Sequence, residues 1–384
     1  MVSSLVKKVL ICFLLVMLVL VGCKGALVPS KGEVIVYVAA PLSGWQADGG
    51  QTVVGGARVA AERANAAGGL LGYRIKVVPL DDEADSDVAI LVANQIAGAI
   101  QGGQKVLGII GHYNSGQSAA ALRIYKDLPV IVITPTSSDP SLTQSGYTNF
   151  FRVNATDASQ APYDASFMVD DLKAQRIVVV YADNDYGRAL KDEMVKALQT
   201  LSKPAVAVIS IPEAADTQQE AVAKIKEANP DMVFLAGYET EGYVLLPELR
   251  AAGIEAMFMA SDGCFLYEFI DGSGKSAEGV YVSGFAPDTR TVTDRQFLAQ
   301  YQDLETRNPG TYSLAGYSAM TVLIEGAKKA NSLDSAKIAA ALRQGEFSTL
   351  VDQIRYDANG DLLDQRIFVF KVVQGEFVQV KPKP

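Results

Sequence analysis

The sequence predicts an α/β protein made of two doubly wound parallel-sheet lobes joined by three crossovers. From Glu33 onward, short β-rich runs alternate with helix-length amphipathic stretches, the pattern of repeated βαβ units. The strand runs are apolar throughout instead of alternating, which requires burial on both faces and hence a parallel sheet clad in helices. The alternation starts again after about residue 155, which asks for a second lobe.

In the first series VIVYVAA (34–40), YRIKVVPL (73–80), VLGII (106–110) and PVIVI (129–133) read as strands. Helices are expected over 51–66, 86–100 and 116–126. In the first of these, Val53, Val54, Ala57, Ala60, Ala61 and Ala64 fall three and four apart and share one face. The second series has strands at RIVVVYA (176–182), AVAVISI (205–211), DMVFLAG (231–237) and EAMFMA (255–260), each followed by a helical stretch. Three helical segments, about 293–307, 313–331 and 334–344, then precede a strand-rich tail of LVDQIRYD, QRIFVFKVV and EFVQV. Asn359, Gly360 and Asp361 are expected to turn a hairpin within that tail.

The N-terminus places Lys7 and Lys8 before an apolar run from Val9 to Val21, the layout of a secretory signal. A spanning helix needs about 20 apolar residues, and this run is shorter. Leu20, Val21, Gly22 and Cys23 resemble the bacterial lipobox, so residues 1–22 are expected to be a signal peptide and 23–32 a tether lipidated at Cys23. That puts the remainder in the periplasm or on the outer face of the cytoplasmic membrane. With Cys12 removed and Cys23 acylated, Cys264 is left alone and no internal disulfide is possible. The net charge of −9 falls to −11 once Lys7 and Lys8 leave, which argues against a nucleic-acid partner.

Doubly wound sheets bind ligands beyond the carboxyl ends of their strands. The loops there are PLSGWQADGGQ (41–51), GHYNSGQS (111–118), TPTSSDPSLT (134–143), YADNDYG (181–187), GYETEGY (237–243) and SDGCF (261–265). Hydroxyls, glycines, tyrosines and a few acids dominate them, a set suited to hydrogen-bonding a small polar ligand.

Catalysis finds little support in the same loops. The single histidine, His112, has no serine in a G-x-S-x-G elbow to serve, and its expected role is structural, bonding a loop carbonyl just past a strand. One histidine and one free cysteine leave only carboxylates for a metal, so neither metal nor cofactor is expected. GSGKS (272–276) lacks the glycine that a phosphate loop needs five residues earlier, where Phe269 stands, and reads as a turn. LDDEADSD (80–87) lacks the glycine and final glutamate of a calcium loop; acids opening a helix explain it.

VYVAAPLSG, RANAAGGLLGYRIKVVPLDD, IIGHYNSG, ITPTSSDPSLT, YADNDYG, AGYETEG and SAEGVYVS, in this order and spacing, resemble the branched-chain amino acid (Leu/Ile/Val)-binding proteins, the type I periplasmic solute-binding components of ABC transporters. The resemblance spans about residues 33–380. It implies a non-enzymatic clamp that closes on a free amino acid, branched-chain or otherwise aliphatic, and delivers it to an ABC permease. It also implies crossings near 155, 284 and 352, giving an N-terminal lobe of 33–155 plus 285–351 and a C-terminal lobe of 156–284 plus 352–384. By the same resemblance Ser115 and Ser138, with the backbone at Thr136, take the ligand's carboxylate and ammonium, Tyr186 and Tyr238 close over it, and Asp262 pairs with the ammonium.

The residues agree physically. Ser115 opens a helix whose free amides and positive dipole end favour a carboxylate, and an ammonium removed from water needs a counter-charge. The sequence departs from the family pattern where Trp45 follows Ser43 and Gly44 in place of proline, and where Asp262 is one methylene shorter than glutamate; Trp45 is the expected replacement for the side-chain wall. A receptor for urea, a short amide or another small carboxylate is the alternative on the same scaffold. The expected state is a monomer.

Overall fold

The structure, a computed structural model, describes residues 29–291 and 294–382; the expected signal segment and Cys23 lie outside them. The first lobe is built from β1 (Glu33–Ala40), α1 (Ala47–Ala66), β2 (Arg74–Asp81), α2 (Ser86–Gln101), β3 (Val106–Gly111), α3 (Ser115–Tyr125), β4 (Ile131–Thr134) and β5 (Phe150–Arg152). Its five strands run in the order β2-β1-β3-β4-β5, all parallel. The near-continuous burial of β1, β3 and β4 is what their unbroken apolar text demands.

The chain then enters the second lobe through α4 (Asp157–Ser166), β6 (Ile177–Ala182), α5 (Asp185–Thr200), β7 (Ala207–Ile211), α6 (Gln219–Ala228), β8 (Met232–Ala236), α7 (Glu239–Ala251), β9 (Met257–Ala260), α8 (Tyr267–Ser273) and β10 (Tyr281–Gly284). It returns to the first with α9 (Arg295–Glu305), α10 (Ser313–Ala330), α11 (Ser335–Arg343) and the two-residue strands β11 (Phe347–Ser348) and β12 (Gln353–Ile354). Phe297, Leu314, Met320, Leu342, Phe347, Ile354 and Tyr356 share one buried cluster with Val36, Val53 and Ile110. α10 lies close on α1: a Cβ on Gly56 would stand 1.8 Å from the Ser313 carbonyl oxygen, and one on Gly316 would stand 2.1 Å from that of Val53. Only glycine permits that approach.

The last crossing differs from the expected 352. Gly360 and Asp361 still belong to the first lobe, since the Arg152 amide donates to the Gly360 carbonyl at 3.2 Å and Arg152 Nε lies 2.5 Å from Asp361 Oδ1. The chain leaves only after Leu362, whose side chain packs on the first-lobe core, and it rejoins the second sheet as β13 (Phe368–Val373) and β14 (Glu376–Lys381). That sheet runs β14-β13-β10-β9-β8-β6-β7, antiparallel only where β13 pairs with β10 on one side and β14 on the other.

The Asn359–Asp361 turn joins no two strands of length; it reverses the chain between the isolated bridge partners Tyr356 and Leu362. The hairpin proper is β13–β14, turned by Gln374 and Gly375 at φ 54° and 77°, the doubly positive pair of a type I′ turn.

Candidate functional site

The site is assembled where the loops after β3, β4, β6, β8 and β9 meet. His112 anchors the first-lobe side. Its ring is buried, with Nδ1 2.6 Å from Asp82 Oδ2 and Nε2 3.0 Å from the Tyr125 hydroxyl. Its role is structural, but its ring partners are side chains and not the expected loop carbonyl. The His112 carbonyl in turn accepts from Thr134 Oγ1 at 2.8 Å and Ser137 Oγ at 3.0 Å, which locks the β3 and β4 loops together. The neighbouring acids serve as expected: Asp85 caps α2, accepting from the amides of Asp87 and Val88.

On this base Ser115 stands in the first turn of α3, and its hydroxyl oxygen accepts from the amides of Ser138 and Asp139, both at 3.3 Å. Thr136 Oγ1 donates to the Tyr113 carbonyl. The three loop residues are thereby held at the end of α3 where backbone amides lack intrahelical partners.

The second lobe presents a stacked pair of rings, Tyr186 and Tyr238, with centroids 4.9 Å apart. Tyr186 sits at the start of α5, capped by the Asn184 side chain accepting from the Gly187 amide at 2.8 Å. The Tyr238 amide donates to Glu241 Oε2 at 2.9 Å, which fixes the entry to α7. The Tyr186 hydroxyl lies 2.7 Å from Asp262 Oδ1 and 2.9 Å from Ser261 Oγ, so it holds the carboxylate in place. Cys264, two residues on, is fully buried, and burial raises its thiol well above the usual range.

Between these faces lies a small cavity lined by Ser115, Thr136, Ser138, Tyr186, Tyr238 and Asp262, together with Tyr113, Asn114, Ser137, Gly263 and Tyr312. Six of the seven predicted binding residues are thus brought together. Trp45 is not among the lining residues; it packs behind Tyr238, ring centroids 5.7 Å apart, so it buttresses the tyrosine pair and does not form the wall expected of it. Tyr312 was not anticipated. Its hydroxyl donates to the Asp262 carbonyl across the lobes at 2.9 Å, and its ring meets Tyr113 edge-on at 5.2 Å.

The electrostatics are lopsided. Asp262 is 6% exposed, and burial pushes its carboxyl up to about 6 against the hydrogen bonds from Tyr186 and Gln160. Beneath it Asp157 and Asp164 are fully buried, and burial raises both well above the usual carboxylate range despite the nearby hydroxyls of Ser138 and Ser283. No lysine or arginine is among the cavity's lining residues. The second-lobe side therefore suits a cation, and the hydroxyls at the start of α3 suit an anion. Among the described residues no cluster has the make-up of a metal site.

Two α/β lobes with polar groups turned from both sides onto one small cavity define a solute-binding clamp. The sequence profile of the periplasmic binding proteins matches residues 36–376. A Leu/Ile/Val-binding protein homolog of Brucella abortus is 30% identical over 360 residues, covering 92% of this chain and 95% of that protein. The leucine-, isoleucine-, valine-, threonine- and alanine-binding protein of Pseudomonas aeruginosa is 32% identical over 333 residues, 85% of this chain and 86% of the relative. The crystal structure of the leucine-binding protein LivK from Thermotoga maritima superposes with a TM-score of 0.81 at 26% identity, covering 90% of this chain and 97% of the other. The chain belongs to the periplasmic binding protein family, in the branched-chain amino acid-binding group of ABC-transporter substrate-binding proteins. Members of that family bind solutes in the periplasm.

Proposed function

We propose that the cavity captures a free α-amino acid with a short aliphatic side chain, its carboxylate at Ser115 and Ser138 and its ammonium at Asp262, for delivery to an ABC permease. The observation that carries this reading is the pairing of opposite poles across one cavity: a helix start with two hydroxyls on the first lobe, and a buried acid without a cation on the second. Closure is a hinge motion that the ligand stabilises by touching both lobes. Screening all twenty amino acids by thermal shift is the direct test, since a ligand at 100 times its dissociation constant adds about 2.7 kcal/mol to stability. Urea and short amides belong in the same screen, because no aliphatic side chain lines the cavity. A shift from these alone would replace the amino acid reading.

The raised carboxyl sets a pH dependence. Asp262 titrates at about 6 in the folded chain against 3.8 ordinarily, so between those values the folded state holds the extra proton. Stability of the empty protein therefore falls as pH rises from about 4 to 6, while affinity for an ammonium ligand rises and capture releases protons. Calorimetry near pH 5 in two buffers of different ionisation enthalpy reads that release; identical heats would contradict it.

Attachment to the membrane through a lipid on Cys23, with the folded part acting as a monomer, completes the reading. Cys23→Ser is expected to move the protein from the membrane fraction to the soluble one. Retention in the membrane fraction would refute the anchor.

A further inference from the structure

A second, larger cavity lies on the hinge side of the first. The two share Thr136, Asp262 and Tyr312 as lining. The Tyr312 to Asp262 hydrogen bond therefore stands as a partition between them. All three crossings contribute walls to the hinge cavity, through Val153, Phe285 and Leu362, and Phe265 and Leu314 add further apolar surface. Its rim is charged but internally neutralised, with Arg366 Nε 2.9 Å from Asp352 and Arg355 2.6 Å from Asp364.

One polar group inside is left over. Asn154, 3% exposed, lines this cavity, and its Nδ2 donates to the carbonyls of Thr136, Ser137 and Ala155 at 3.0, 3.0 and 2.8 Å. Those three bonds fix the amide's orientation, so its Oδ1 is an acceptor, buried and without a donor. A buried acceptor left unsatisfied is costly, and a largely apolar cavity with one placed polar group has the make-up of a small-molecule site.

We propose that the hinge cavity is a second ligand site, separate from the amino acid site, for a small uncharged apolar molecule carrying one N–H or O–H donor for Asn154 Oδ1. The rim ion pairs cancel each other, the Asp262 carboxylate is turned to Tyr186 on the side of the first cavity, and the apolar walls supply the contact area.

Indole and its isostere indene, which lacks the N–H, test this on the whole mature protein. Indole is expected to bind saturably with one site per chain, to bind equally well when the amino acid site is filled, and to bind about two- to tenfold more tightly than indene, the worth of one neutral hydrogen bond. Ala286→Phe and Ala315→Phe each fill the cavity from a different wall and should weaken indole by more than about tenfold, leaving the amino acid thermal shift in place. Two variants guard against one failing to fold. Absence of saturable binding, displacement of indole by the amino acid, parity between indole and indene, or indifference to both filled variants would each overturn the proposal. None of these outcomes touches the amino acid reading, which stands on its own screen.

Discussion

Asp262→Asn is expected to weaken binding of an amino acid by about 2–5 kcal/mol, some 30-fold to several thousand-fold, while binding of a neutral amide barely changes. The asparagine keeps an oxygen for the Tyr186 hydroxyl, which lies 2.7 Å from Asp262 Oδ1, so the local packing is retained and the counter-charge alone is lost. Because the residue is nearly sealed from solvent, water cannot replace that charge around the ammonium. Titration calorimetry with the amino acid that wins the thermal-shift screen decides the point. A loss below about threefold would mean that the ammonium is held elsewhere, and Asp157 would become the next residue to test.

Arg152→Leu is expected to destabilise the first lobe by about 3–5 kcal/mol. The side chain is fully buried. It donates to the Ser137 carbonyl at 2.8 Å, to the Asp139 carbonyl at 3.1 Å and to Thr143 Oγ1 at 3.0 Å, and makes an ion contact with Asp361. Burial lowers its pKa, with Asp361 opposing. Leucine would leave the half-buried Asp361 carboxylate without its cation and the Ser137 and Asp139 carbonyls with only their second donors, Asn154 Nδ2 and the Leu142 amide. Chemical denaturation of the single variant and of the double variant with Asp361→Asn separates the two costs, the double being expected to recover part of the loss. A single-variant cost under about 1 kcal/mol would show that this cluster does not hold the β5 edge to the returning chain.

Both lobes were legible because their strands are apolar from end to end, and that text admits few structures besides a buried parallel sheet. β5 does not stand out as a strand in the sequence: three residues are too few to show any period, and only its neighbour in the sheet defines it. The hairpin was placed at Asn359–Asp361 because that triplet has the better turn chemistry, yet the tertiary pairing put it at Gln374–Gly375. The late third crossing follows from Arg152, which holds Asp361 from more than two hundred positions away and leaves no local signal.

The site divides in the same way. The loops at the strands' carboxyl ends were legible from the topology, which sends them to one place; within those loops it was the family resemblance that singled out Ser115, Thr136, Ser138, Tyr186, Tyr238 and Asp262. Tyr113 and Asn114 adjoin Ser115 in the same stretch and were within reach of that reasoning. Tyr312 and Asn154 were not: they come from a helix start and from the first crossing, and nothing in their surrounding text marks them as facing a cavity. Trp45 was near the right place but one layer out, since its ring is spent on Tyr238.

The interleaved course of the chain has a consequence for how the molecule comes into being. α10 caps the first sheet by seating on α1, some 250 positions earlier, and β13 completes the second by pairing with β10. A growing polypeptide emerging from its N-terminal end therefore holds two unfinished halves until nearly its last segment is made. Such long-range closures slow folding, and a version truncated before Phe368 would lack the central-to-edge partner that seals the second half.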